Sequence, residues 1–419
     1  MPVLVAGVLS GCGTPPLLTD VVFEPEVITP NADGETDLAR VAFMLNQNAT
    51  VSITLEDNAA GRTYTFRPPT RLGSNEDPYT VYFGGVVEGY RRADDPNYEF
   101  EIIKRMLPDG EYTWRIRAKA EGARRDTGPN SEEQNEMVVS GTLTIQQADT
   151  QLPAIRGFSV SPKTFSPNQD GIDDRVTINL VLEKDVEDLN VYLEGGDDIR
   201  HHIPELEMVT EPKEEGWHTF DYDGGIDSGN EPPPDGTYTV FAEANDEMGQ
   251  GVITSDTLEI VNAGLPMAYI VNGEVEFSET TTVLSDTICY TLTVENDSNT
   301  PIRTTGPWPG TTYRSDQNFN TLGWSEESGV FRVGMDFDTS LRNYPFRWGI
   351  GQPGVDLVKI DDYWYLPAHE RSLVTGCIQI VEMPVRNPLY YWMGLIHEDV
   401  QIAAVNNRVD PHFVTIWEP

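Results

Sequence analysis

The sequence predicts an all-β protein of three tandem β-sandwiches, and three observations carry that prediction. The turn Thr29-Pro30-Asn31-Ala32-Asp33-Gly34-Glu35-Thr36-Asp37 returns 137 residues later as Ser166-Pro167-Asn168-Gln169-Asp170-Gly171-Ile172-Asp173-Asp174. Each copy feeds an alternating apolar run, Val41, Phe43 and Leu45 in the first and Val176, Ile178 and Leu180 in the second. A period of two marks a strand with one face buried. A second signature closes each unit: Pro108-Asp109-Gly110-Glu111-Tyr112, then Pro234-Asp235-Gly236-Thr237-Tyr238. Helical periodicity is scarce throughout, and short runs punctuated by Gly, Pro and Asp indicate stacked sheets. Two copies of one β module are therefore expected, followed by a third part of different composition.

The chain begins with an apolar run from Val3 to Leu9, followed by Leu9-Ser10-Gly11-Cys12. This pattern resembles a bacterial lipobox, where a signal peptide is cut and the cysteine acylated. Residues 1–12 are read as that signal and 13–22 as a Pro-rich tether. No other apolar run approaches the ~20 residues a membrane span requires, so an acylated Cys12 would be the only contact with a bilayer. The first module covers 23–147, with strands expected over 41–45, 51–55 and 112–116. Its stretch between Pro68 and Arg105 is longer than the equivalent in the second copy and rich in charge, and is read as a lengthened loop. A polar linker occupies 148–154. The second module covers 155–262, with strands over 176–182, 189–193 and 238–242. The third part, 267–419, holds six of the eight tryptophans and still reads as strands, among them 289–294, 331–337, 373–381 and 390–396.

The repeated turn, the Pro-Asp-Gly-x-Tyr signature, Tyr222-Asp223-Gly224 and Asp246 ahead of Gly249 resemble a group of bacterial accessory modules. These are the immunoglobulin-like domains of the flagellar hook-cap protein and the fibronectin-III-like domains appended to cell-envelope subtilisin-type proteases. Gln169 replaces the first glycine of that family's turn, and Phe83 is aligned with Asp223. The third part is similar to immunoglobulin-like domains of bacterial surface proteins and of an autophagy receptor, through Asn296, Trp308-Pro309-Gly310 and Tyr391-Trp392-Met393-Gly394-Leu395. The resemblance implies modules that space, orient or bind and do no chemistry, although sandwiches host many roles.

A formal net charge of −40 argues against nucleic acid and against direct attraction to an anionic membrane. Cys289 and Cys377 lie on the outward faces of two strands, in a chain whose leader points to an oxidising space. A disulfide between them and two separate thiols are both open readings. Asn168, Asp170, Asp173 and Asp174, with Asn31, Asp33 and Asp37 in the first copy, offer oxygens at a spacing that could hold calcium. The alternative is a turn whose side chains bond nearby amides. Trp308, Tyr313, Trp324, Trp348, Tyr363 and Trp364 are candidate contacts for a glycan or partner, or else core. His397-Glu398-Asp399-Val400-Gln401 starts like a zinc-protease helix but lacks its second histidine, and no nucleophile elbow or phosphate loop is present. The expectation is a non-catalytic, lipid-anchored cell-surface protein, a structural or adhesive spacer or a subunit of an envelope assembly. Carbohydrate binding, or service as an accessory subunit of an envelope enzyme or appendage, are the alternatives. Other envelope proteins or surface polysaccharide are the expected partners.

Overall fold

The computed structural model describes residues 15–121, 136–195, 199–206 and 211–418, and these residues are all-β, arranged as paired sheets enclosing apolar cores. The first core is lined by Val41, Phe43, Val51, Ile53, Leu55, Phe83, Tyr112 and Ile116. It lies between a three-stranded sheet (Leu18–Glu24, Ala39–Leu45, Tyr79–Phe83) and a five-stranded one. The second core repeats the arrangement with Phe165, Val176, Ile178, Leu180, Phe220, Tyr238 and Val240. The largest core lies in the third part and includes Tyr290, Tyr313, Phe331, Phe346 and Trp348.

The three units share one local device. A short early strand (Val27–Ile28, Thr164–Phe165, Thr281–Val283) crosses to pair in parallel with the last strand of its own unit. In the two repeats the crossing follows a cis X-Pro bond at Pro25 and at Pro162. The closing signature also has a physical reading. Tyr112 donates its hydroxyl to the Pro108 carbonyl at 2.7 Å, and Tyr238 does the same to Pro234 at 2.9 Å. Asp109 accepts from the amides of Gln147 and Ala148, and Asp235 from Ala263, so each signature grips the chain as it leaves its module.

Three expectations are corrected. The first strand begins at Leu18, inside the stretch read as tether. Leu18 is opposite Leu45 and buried, because Leu18 and Phe23 enter the first core with Val21 packed against it. Phe83 is the counterpart of Tyr222, not of Asp223: it pairs with Ala39 as Tyr222 pairs with Val176. The long segment before Arg105 is not a lengthened loop. It forms a hairpin, Val86–Glu88 with Glu101–Met106, whose second strand pairs with Gly251–Ile260 of the next module. Phe100 and Ile102 alternate with Glu99 and Glu101, so their apolar side chains enter the second core while the carboxylates stay outside.

Candidate functional site

The features that most distinguish this chain from three independent sandwiches are its two joints. At the first, the seven-stranded sheet of the second module continues into the hairpin of the first module. Gln250 is fully buried beneath that seam. Its Oε1 accepts from the Met106 amide at 3.1 Å, and its Nε2 donates to the carbonyls of Asp149 and Gln151 and to Asp246, at 3.1, 2.9 and 2.8 Å. Lys184 adds its ammonium between Asp149 and Asp246. The 148–154 linker is thus tied from two sides. Within the hairpin, Arg105 and Asp95 form a buried pair, and the guanidinium holds the Asp95 carboxyl below the usual carboxylate range.

At the second joint the Ser166–Asp174 turn is set into the third module. Inside the turn, Asn168 Oδ1 accepts from the Asp170 amide, Asp170 Oδ1 from Ile172, and both Asp174 oxygens from Asp170 and Gly171. Outside it, the Tyr365 hydroxyl donates to Asp170 Oδ2 at 2.8 Å, and Arg303 Nη1 donates to the Asp170 carbonyl at 2.8 Å. His397 Nε2 donates to the Gln169 carbonyl at 2.8 Å. Gly171 has φ +82°, and a Cβ there would lie 2.1 Å from the Ser328 carbonyl; the approach requires glycine.

Beneath this socket lies a charged cluster. Glu398 accepts from Arg332 at 2.9 and 3.0 Å, from Arg347 at 2.8 Å and from the Glu327 amide at 2.7 Å. Its backbone carbonyl receives the Gly329 amide, which fixes the loop against which the turn sits.

The sites expected from sequence are distributed as follows. Asn168, Asp170 and Asp174 spend their oxygens on amides and on Tyr365; Asn31 and Asp33 make the equivalent amide bonds, and Asp37 accepts from the amides of Gly34, Asn31 and Ala32. Asp173 points its backbone, at φ +52°, around the turn. Among the described residues no group of three or more His, Cys, Asp or Glu side chains is arranged to hold a metal. Trp348 and Tyr313 are not available to a ligand. They meet edge-to-face at 5.0 Å in the core, because each sits on an inward position of its strand. Trp308, Trp324 and Trp364 are half-buried and pack on the same core. Tyr363 is partly exposed but carries the Arg303 guanidinium 4.4 Å above its ring, as part of the socket. Cys289 and Cys377 lie directly opposite on the Thr287–Asn296 and Arg371–Gln379 strands and are joined by a disulfide. Cys12 lies outside the described residues.

No protein-family model matches the chain, and no curated protein matches it. Solved structures give low-scoring likenesses. The adhesin InvE of Yersinia pseudotuberculosis shares 10% identity over 62% of this chain and 58% of its own, with a TM-score of 0.16. SGBP-B of the Bacteroides ovatus mixed-linkage glucan utilization locus, solved with a mixed-linkage heptasaccharide, shares 11% over 96% and 71%, with a TM-score of 0.17. Latent dimeric PorU of Porphyromonas gingivalis shares 11% over 94% and 32%, with a TM-score of 0.20. The chain therefore spans 58% of InvE and about a third of PorU.

The second joint carries titratable groups of opposite sense. Burial and the neighbouring Asp170 carboxylate push Asp174 up to about 6, whereas burial pulls His397 down to about 4. A raised carboxyl contributes stability that is present at low pH and lost as pH rises through about 6. A depressed histidine contributes stability that is present above its ordinary value of 6.5 and lost as pH falls towards 4. Over the shared window the two oppose each other. Asp174→Asn should therefore steepen the loss of melting temperature on acidification between pH 6.5 and 4, relative to the native chain. Parallel profiles for the two proteins would contradict this.

Proposed function

We propose that the chain is a non-catalytic surface arm: a stiff spacer, held by a lipid on Cys12, that carries its third module away from the bacterial envelope to other envelope proteins or polysaccharide. One observation carries this reading. Each joint is built from buried pairing and not from a bare linker, by a shared sheet at the first and by a turn set in a socket at the second. A linker alone would leave domain motion as the default. The acidic composition and the lipobox-like Leu9-Ser10-Gly11-Cys12 support an exported, soluble arm.

The test is small-angle X-ray scattering of the full chain lacking residues 1–12, at about 0.15 M and about 1 M salt, since salt screens surface pairs but not buried ones. One narrow distance distribution, unchanged by salt, is expected. A broad ensemble would remove the spacer reading. Loss of membrane association in Cys12→Ser tests the anchor separately.

A second reading, carbohydrate binding, is favoured by residues not singled out from sequence. Phe413 and Trp417 are both more than half exposed on one face of the Val409–Trp417 strand, with Tyr390 4.4 Å from Phe413. Alternation along that strand was the available signal, since Val414 and Ile416 take the inner face. Retardation by a neutral polysaccharide in affinity electrophoresis, lost in Trp417→Ala, would support it.

A further inference from the structure

The two copies of the repeated turn have one conformation and different surroundings. Ala32 and Gln169 have φ +62° and +54°, Gly34 and Gly171 both +82°, and Thr36 and Asp173 +58° and +52°. The internal bonds also correspond. The Asp33 amide reaches Asn31 at 3.1 Å, as Asp170 reaches Asn168 at 3.0 Å. The Glu35 amide reaches Asp33 at 2.8 Å, as Ile172 reaches Asp170 at 2.9 Å. In the second copy, the atoms left over by this internal bonding are the ones the third module grips: the Gln169 and Asp170 carbonyls and Asp170 Oδ2. In the first copy the equivalent atoms belong to Ala32 and Asp33. Residues 32–36 are exposed, and no described heavy atom lies within 4 Å of where a Gly34 Cβ would stand. The first module instead joins its neighbour through the hairpin, and among the described residues no other module meets the tip of its turn at Gly34.

We propose that the 29–37 turn is a docking peg for another protein, one that presents a socket of the kind seen on the third module. That socket places an arginine to donate to the Asp33 carbonyl, a tyrosine hydroxyl to donate to Asp33 Oδ2, and a glycine where the two backbones approach. The chemistry is read from the one engaged copy of the same turn. The partner is not a second copy of this chain, because each copy's socket is already filled by its own turn, which is tethered beside it and so acts at a high effective concentration. The inference does not depend on the spacer reading.

The test uses full-length chains and a socket-only copy as the probe. Asp33→Lys removes that copy's own peg, and Asp170→Lys sets an ammonium against Arg303 and empties its socket. Gly171→Leu in place of Asp170→Lys opens the same socket by collision with Ser328 and without a buried charge, should the lysine variant fail to fold. In sedimentation velocity, the native chain alone should run as one monomeric species. Mixed with the socket-only copy it should form a one-to-one heterodimer, and Asp33→Lys in the native partner should abolish that species. No heterodimer with a folded socket-only copy would overturn the proposal. So would a heterodimer that survives Asp33→Lys. Self-association of the native chain that depends on Asp33 would overturn the assignment to a different protein.

Discussion

Glu398→Ala is expected to cost about 3–5 kcal/mol, the range for removing one member of a buried ion cluster and leaving its partners behind. The Arg332 side chain is fully buried and Arg347 nearly so, and Glu398 is the one carboxylate among the described residues that reaches both while itself buried. Glu327 and Glu326 touch the same guanidinium groups from more exposed positions and cannot replace it. Without Glu398, two guanidinium groups remain in a low-dielectric site and the Glu327 amide loses its acceptor. The Glu398 backbone also holds Gly329, so the damage should spread to the socket. The check is a urea denaturation midpoint read from tryptophan fluorescence, together with amide exchange of residues 166–174. A lower midpoint and faster exchange in the turn are expected. Asp316→Ala breaks an exposed pair with Arg314 and should change the midpoint little. Equal midpoints for Glu398→Ala and Asp316→Ala would contradict the assignment.

The contrast between what was and was not readable follows from sequence distance. The repeated turn was legible because the bonds that shape it internally lie within seven residues, and the Tyr112 and Tyr238 hydroxyl bonds, four residues long, were legible for the same reason. Period-two alternation gave the strands of the first two cores directly. The socket could not be read in advance: Arg303, Tyr365 and His397 come from three separated segments and converge only through pairing of the strands that carry them. Both readings of the tryptophans, core or ligand contact, were consistent with composition, and only the strand faces decide that Trp348 and Tyr313 belong inside. The donated hairpin lies between these cases. The alternation of Phe100 and Ile102 with acidic residues was visible, but nothing local says that the apolar face belongs to the neighbouring module.

Gln250→Leu should loosen the first joint without unfolding the modules on either side. Leucine fills a comparable volume, so the cores keep their packing, but the side chain can neither donate nor accept. The Met106 amide loses its acceptor, and the Asp149 and Gln151 carbonyls lose a donor. A buried polar group left unpaired costs about 1–3 kcal/mol, and with three such groups partly rescued by Lys184 and by water the expected cost is about 3–5 kcal/mol. That cost falls on the seam and not on either core. Amide exchange should therefore rise over residues 101–106 and 148–152 while the Gly236–Asn245 strand stays protected, and the scattering profile should broaden towards a jointed chain. If exchange rises evenly across the second module, Gln250 serves the core and not the joint. If neither exchange nor scattering changes, the shared sheet holds the modules by itself, and stiffness at this joint comes from strand pairing between Glu101–Met106 and Gly251–Ile260 and from the burial of Phe100 and Ile102.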